Sequence, residues 1–145
     1  MNQGTVYSLA VSPERGQLKK EVPQVQVIAN YGIKGDGHAG NWGRQITCLA
    51  RQSVVNMIKE HNTDFLPGDF AENIQIEGLD FSQLGVGVKL KLGNEAVLEI
   101  TQIGKEDHPS IVSQTFGVSL LPSEGLFCKV LAGGMVHQGD PVEIL

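Results

Sequence analysis

Eighteen glycines divide this chain of 145 residues into runs too short for anything but strands and brief helices. Glycine weakens a helix interior and suits tight turns, so its frequency argues for many short segments joined by turns. The segments between the glycines follow a period of two. From Gly4 to Ser12, Val6, Ser8 and Ala10 alternate with Tyr7, Leu9 and Val11, a strand that can be buried on both faces. Val25 and Val27 alternate with Gln24 and Gln26, a strand with one wet face. Val88–Leu92 and Ala96–Ile100 flank Gly93-Asn94-Glu95 and read as a hairpin. Gln45–Ala50, Ala71–Ile76 beyond the Pro67-Gly68 turn, and Gly139–Leu145 add further extended segments. Only Arg51 to His61 carries a helical stripe, formed by Val54, Met57 and Ile58. This order predicts a mainly β chain, a closed or nearly closed β-barrel with one or two short helices. Glu106–Gly117 lacks alternation and reads as an irregular loop with room for a helical turn.

Composition narrows the function classes. A single domain over residues 1–145 is long enough to bury a core without disulfide or metal staples, and 41% of its residues are hydrophobic. No apolar run is long enough for a membrane span or a secretory leader. Cys48 and Cys128 are the only cysteines, which disfavours a disulfide framework and points to a reducing, cytoplasmic setting. Both read first as small core residues; Lys129 beside Cys128 would lower that thiol's pKa if both faced one cavity. The net charge of −5 disfavours nucleic acid and acidic membranes as partners. Lys19-Lys20 reads as a solvated turn, and His61 and His137 as surface residues.

Residues 32–45 stand apart from the other connections. They hold five glycines, Lys34, Asp36, His38, Arg44 and the chain's only tryptophan, Trp42. Such a loop can turn backbone N–H groups toward a ligand without a Cβ in the way. Lys34, His38 and Arg44 can then offer donors to an anion, while Asp36 can orient a ring N–H. The same residues also have plainer readings. His38 can tie down its own loop, Arg44 can pair with Glu72, and Trp42 can cover the barrel end instead of stacking on a planar ligand. Glu72-Asn73 is either part of a site or a hydrogen-bonded strand entrance. A metal centre is not expected, because Asp36, His38 and His108 lack any dense ligand motif.

Several segments together resemble the MOSC domain, the C-terminal module of molybdenum cofactor sulfurases that also exists as small stand-alone bacterial proteins. They are Gly35-Asp36-Gly37-His38-Ala39-Gly40, Arg44-Gln45-Ile46-Thr47, Pro67-Gly68-Asp69-Phe70-Ala71-Glu72-Asn73-Ile74, Gly78-Leu79-Asp80, Leu98–Lys105, Pro122-Ser123-Glu124-Gly125-Leu126-Phe127 and Val130-Leu131-Ala132-Gly133-Gly134. They fall in the family's order along nearly the whole chain. The resemblance implies a barrel similar to the pyruvate kinase barrel domain. It also implies binding of molybdenum cofactor (molybdopterin) or a related small anion by Lys34, Asp36, His38, Arg44, Glu72, Asn73 and Lys105. The protein partners it implies are a molybdoenzyme or a cysteine desulfurase. Pyridoxal phosphate is implied only through the sulfurase family and is not expected on this chain.

One departure bears on chemistry. Similar members read Gly-Lys-x-Cys-His where this chain has Gly104-Lys105-Glu106-Asp107-His108, so an aspartate stands where the sulfur-carrying cysteine is expected. A carboxylate cannot hold a persulfide. Three readings stay open from the sequence. The protein takes part in sulfuration or delivery of the cofactor with a thiol supplied by a partner; or it is a non-catalytic ligand-binding or molybdoenzyme-interaction module; or Asp107 and His108 act as an acid–base pair on a small substrate.

Overall fold

The computed structural model describes residues 3–107 and 109–145. In chain order the elements are β1 (Gln3–Val11), β2 (Lys20–Val22), β3 (Gln24–Ile28), β4 (Gly32–Ile33), β5 (Ile46–Ala50), α1 (Arg51–His61) and β6 (Ile74–Glu77). A 3-10 turn at Phe81–Gln83 leads to β7 (Lys89–Leu92) and β8 (Ala96–Ile103). Then come α2 (Ile111–Phe116), α3 (Leu121–Glu124), β9 (Leu126–Ala132), β10 (Gly134–His137) and β11 (Pro141–Ile144).

Seven strands close a ring in the order β1-β11-β7-β8-β9-β5-β6, and β6 returns to β1; β2 lies outside the ring against the far end of β1. The predicted barrel is therefore closed, and among the described residues it carries three short α-helices where one or two were expected. Every neighbouring pair in the ring is antiparallel except β5–β6. Parallel neighbours need a crossover, and α1 lies in that connection. The irregular stretch expected at Glu106–Gly117 contains α2, with Ser110 and Ser113 closing a capping box at its start. No helix is long and apolar enough to cross a membrane among the described residues.

The alternation read from the sequence sorts the side chains as expected. β3 buries Val25 and Val27 and exposes Gln24 and Gln26; β7 buries Leu90 and Leu92. The small sheet β10-β3-β4 turns Val25, Val27, Ile33 and Val136 onto the same core as the barrel interior. Cys48 and Cys128 are fully buried in that core, as the sequence suggested. Cys48 raises the pKa of the Cys128 thiol, as does burial, and Lys129 pairs instead with Glu99 at 3.7 Å. That overturns the reading in which Lys129 activates Cys128.

β5 is buried on both faces because a second core lies outside the barrel wall. There Leu49 and Phe127 pack with Val54, Phe65, Phe70, Val112, Leu120 and Leu121. Phe65 anchors this layer, with its ring centroid 4.7 Å from that of Phe70 and 5.3 Å from that of Phe116.

Candidate functional site

On the outer face of the barrel, Thr47 of β5 and Phe127 of β9 are cross-strand partners, and they floor a recess. Arg15, His38, Trp42, Arg44, Lys105 and Leu121 form its walls, enclosing about 260 Å³. A second lobe of about 270 Å³ shares His38, Lys105 and Leu121 and continues over Ala71, Ile111 and Val112. A third lobe of about 300 Å³ joins Arg44 and Lys105 to Gln102 and Glu106. Small-molecule sites span about 300–1,000 Å³, a range the joined lobes reach.

Two structural devices hold the glycine-rich loop over this floor. At Thr101, β8 bulges: Ile100 pairs with Cys128 while Gln102 pairs with Phe127, leaving Thr101 the extra residue. Its hydroxyl is re-aimed at the carbonyl oxygens of Gly43 and Phe127. Gln45 fastens the end of the loop, donating to the Gly40 carbonyl at 2.9 Å and accepting from the Val130 N–H at 2.9 Å.

Trp42 organises the cationic wall. Its indole N–H donates to the His38 carbonyl at 2.7 Å, and its ring lies nearly parallel to the imidazole, with centroids 6.3 Å apart. The Arg15 and Arg44 guanidiniums sit over the same indole, 4.2 and 5.0 Å from its centroid, and Arg44 also lies 5.5 Å from the Phe127 ring. Neither alternative from the sequence describes Trp42 fully: it is a platform for two guanidiniums. Arg15, Arg44 and Lys105 take part in none of the ion pairs among the described residues. Burial and the repulsion of Arg44 lower the Lys105 pKa, against the opposing pull of Asp107.

Behind the wall lies a polar cluster the sequence did not suggest. Lys19, expected in a solvated turn, is buried; its ammonium donates to Asp36 Oδ1 at 2.7 Å and to Ser12 Oγ at 3.2 Å. It also lies 3.0 Å from Nδ1 of His38. Burial, followed by the Lys19 charge, lowers the His38 pKa to about 4, so the ring is neutral at neutral pH. Asp36 accepts from Lys19 and the Ser12 N–H through Oδ1 and from the His38 backbone N–H through Oδ2. It holds the loop together and does not orient the His38 ring N–H directly.

The remaining sequence candidates divide sharply. His38, Arg44 and Lys105 meet at the recess. Lys34 is exposed and does not line it. Glu72 is buried; its two carboxylate oxygens accept from the backbone N–H groups of Gly68 and Phe70 and from Gln75, so it makes no pair with Arg44. Burial raises its pKa while those hydrogen bonds favour the ionised form. Asn73 accepts from the Thr47 N–H at 3.0 Å and donates to the Ala10 carbonyl at 3.1 Å, joining the strands on either side of β6. Glu72-Asn73 is thus the hydrogen-bonded strand entrance, not a wall of the site. Asp107 is exposed outside the recess lining, and His108 falls outside the described residues.

Arg15 and Lys19 are the residues that sequence reasoning missed. Both sit on the segment after β1, which one close approach brings to the glycine-rich loop and another to the Pro67-Gly68 turn. A Cβ on Gly37 would lie 2.5 Å from the Arg15 backbone nitrogen, and one on Gly68 would lie 2.2 Å from the Lys19 carbonyl oxygen. Each glycine contact is a pairing across many residues, invisible to any local pattern.

A closed, mainly antiparallel barrel with a cationic recess on its outer wall defines the class, a small β-barrel domain whose surface loops build the candidate site. The MOSC domain model matches residues 35–105, which identifies a MOSC domain in this chain. The fold is similar to that of the YuaD protein from Bacillus subtilis (TM-score 0.77, 18% identity, 98% of this chain and 95% of that one). It is also similar to YiiM from Geobacillus stearothermophilus (TM-score 0.76, 19% identity, 98% and 75%) and YiiM from Escherichia coli (TM-score 0.70, 19%, 97% and 69%). At these identities the likeness is one of fold. No curated protein matches the sequence.

Proposed function

We propose that this MOSC-domain protein binds molybdenum cofactor, or a related oxyanion-bearing ligand, in the recess and serves its delivery without carrying sulfur on its own thiols. The observation that carries the reading is the convergence of Arg15, Arg44 and Lys105 around a neutral histidine, with no ion-pair partner for the three cations among the described residues. Unpaired cations held together in a protein of net charge −5 repel one another, and an anion relieves that repulsion.

The donor set suits the cofactor's anionic groups. Arg15 and Arg44 offer planar, bidentate donors, Lys105 a point charge, and His38 a neutral N–H. The adjoining lobe over Ala71, Ile111, Val112 and Leu121 is mainly apolar and offers room for a flat organic body next to the charge. When bound, the molybdenum centre would supply oxygen-atom or electron transfer. The residues of this chain bind and orient, and they keep one side of the ligand from water.

The absence of sulfur carriage is favoured by the cysteines. Cys48 and Cys128 lie in the barrel core with no exposed sulfur surface, and raising the Cys128 pKa reduces its thiolate. Any sulfur transfer then requires a thiol from a partner such as a cysteine desulfurase. Purification from a host that makes the cofactor tests the proposal: pterin fluorescence after oxidation and a molybdenum signal should accompany the wild type and decline in Arg44→Ala. Protein free of pterin, with no affinity for molybdate by calorimetry, would refute it.

A further inference from the structure

We infer that Lys19 holds His38 as the neutral tautomer protonated on Nε2. The recess floored by Thr47 and Phe127 thereby becomes a site of donors that takes an oxyanion bearing no proton of its own. The second half rests on the oxyanion reading proposed above; the first stands on geometry alone.

An ammonium has three protons and no acceptor. The Lys19 ammonium has three partners: Asp36 Oδ1 at 2.7 Å, Ser12 Oγ at 3.2 Å and His38 Nδ1 at 3.0 Å. The shortest of these has the length of a charge-assisted bond between an ammonium and a carboxylate. Lys19 therefore meets the imidazole as a donor, and Nδ1 must accept. With Nδ1 as acceptor in a neutral ring, the proton is on Nε2. No described side-chain nitrogen or oxygen is buried without a partner, and Nε2 has no hydrogen bond among the described residues. It is consequently open to the recess that His38 lines.

The titratable and charged groups around the ring are Lys19, Asp36, Arg15 and Lys105. Three are cationic, and the one carboxylate is already engaged by Lys19 and two backbone N–H groups. The recess floored by Thr47 and Phe127 then presents Arg15, Arg44, Lys105 and His38 Nε2–H; its one side-chain hydroxyl is that of Thr47, and the nearest lining carboxylate, Glu106, belongs to the adjoining lobe beyond Arg44 and Lys105. A proton on the ligand would need an acceptor that such a wall supplies poorly, and an unmatched donor in a desolvated site is costly. Lys19 is a positioning residue: it acts on the ligand through the ring of His38.

The experiment uses the whole chain and two readouts. Long-range 15N–1H spectra of the wild type should show His38 with a pyrrole-type Nε2 and a pyridine-type Nδ1 from pH 5.5 to 8. In the paired variant Lys19→Met/Asp36→Asn, which removes both buried charges together, the ring should become a mixture of tautomers. Calorimetry at pH 7 should give sulfate, which carries no proton, an affinity about tenfold above that of phosphate, which carries at least one. A wild-type ring protonated on Nδ1, or on both nitrogens at pH 7, overturns the inference whatever binds, and it needs no variant to fold. The Nε2–H ring with equal affinities for the two anions overturns the selectivity. The Nε2–H ring with neither sulfate nor molybdate bound overturns the oxyanion reading instead and leaves the tautomer assignment standing.

Discussion

The Arg15 guanidinium reaches its place over Trp42 because the backbone around it presses directly on Gly37. Nε of Arg15 donates to the Gly37 carbonyl at 3.2 Å, and the Gly37 N–H donates to the Ser12 carbonyl at 2.7 Å. A Cβ at residue 37 would stand 2.3 Å from the Glu14 carbonyl carbon. The glycine thus serves the approach of a second chain segment, and its φ is not in the left-handed region. That contact joins the turn after β1 to the loop before β5 and completes the cationic wall.

Gly37→Ala should accordingly displace the turn and carry Arg15 away from the indole. The contacting atoms are backbone, so relaxation is difficult, and overpacking of this kind costs about 1–3 kcal/mol. Urea unfolding should show that loss, and molybdate titration should show weakened binding in the fraction that stays folded. Unchanged stability together with unchanged affinity would contradict the role given to this contact.

The cationic wall makes a graded prediction. Arg15→Ala, Arg44→Ala and Lys105→Ala should each weaken oxyanion binding by roughly tenfold or more, since hydrogen bonds to charged groups contribute about 1.5–3 kcal/mol. Lys34→Ala removes the same charge from the exposed turn after β4 and should leave affinity within about twofold at moderate salt. Calorimetry at two ionic strengths separates the cases. Equal losses in Lys34→Ala and Arg44→Ala would mean that net charge, not the recess, governs binding.

The barrel was legible because its signals are local. Alternation at Val25 and Val27, the hairpin around Gly93-Asn94-Glu95 and the stripe on α1 each depend on residues a few positions apart. The glycine-rich loop was legible for the same reason, and His38, Arg44 and Lys105 converge on one recess. Lys19 misled because a doublet of lysines normally marks solvent, whereas here Asp36, Ser12 and His38 supply three acceptors from two distant segments. Glu72 misled in the opposite direction. A carboxylate after a Pro-Gly turn resembles a ligand-facing group, but its oxygens close the turn's own N–H groups. Polar residues of both kinds look alike until their partners are known.

The buried thiols predict chemical inertness. Native protein should resist thiol reagents and carry no cyanide-releasable sulfur after incubation with a cysteine desulfurase and cysteine, and both cysteines should react once the chain is unfolded in urea. Cys128→Ser should destabilise the fold by about 1–3 kcal/mol, because a hydroxyl replaces a sulfur in a core. Sulfur released from native wild type but not from Cys128→Ser would restore a carrier role to that residue.

Acid should loosen the fold through His38. Its imidazole titrates at an ordinary 6.5 in the unfolded chain and at about 4 in the folded one. Between those values the unfolded state binds a proton that the folded state refuses, so acidification favours unfolding. The stabilisation is complete above pH 6.5, falls away as pH drops, and is gone once the folded ring also titrates near pH 4. Allowing for the ring's partial exposure, the change is on the order of 1–2 kcal/mol. Glu72 works in the opposite sense: its raised pKa stabilises the fold at low pH and loses that contribution as pH rises through the folded value. Comparison with His38→Gln isolates the imidazole, since Glu72 is common to both proteins. Urea unfolding from pH 7.5 to 4 should show the wild type losing more stability than the variant by that amount. Parallel pH profiles would mean that the folded ring takes up its proton as readily as a free one, which the Lys19 contact does not permit.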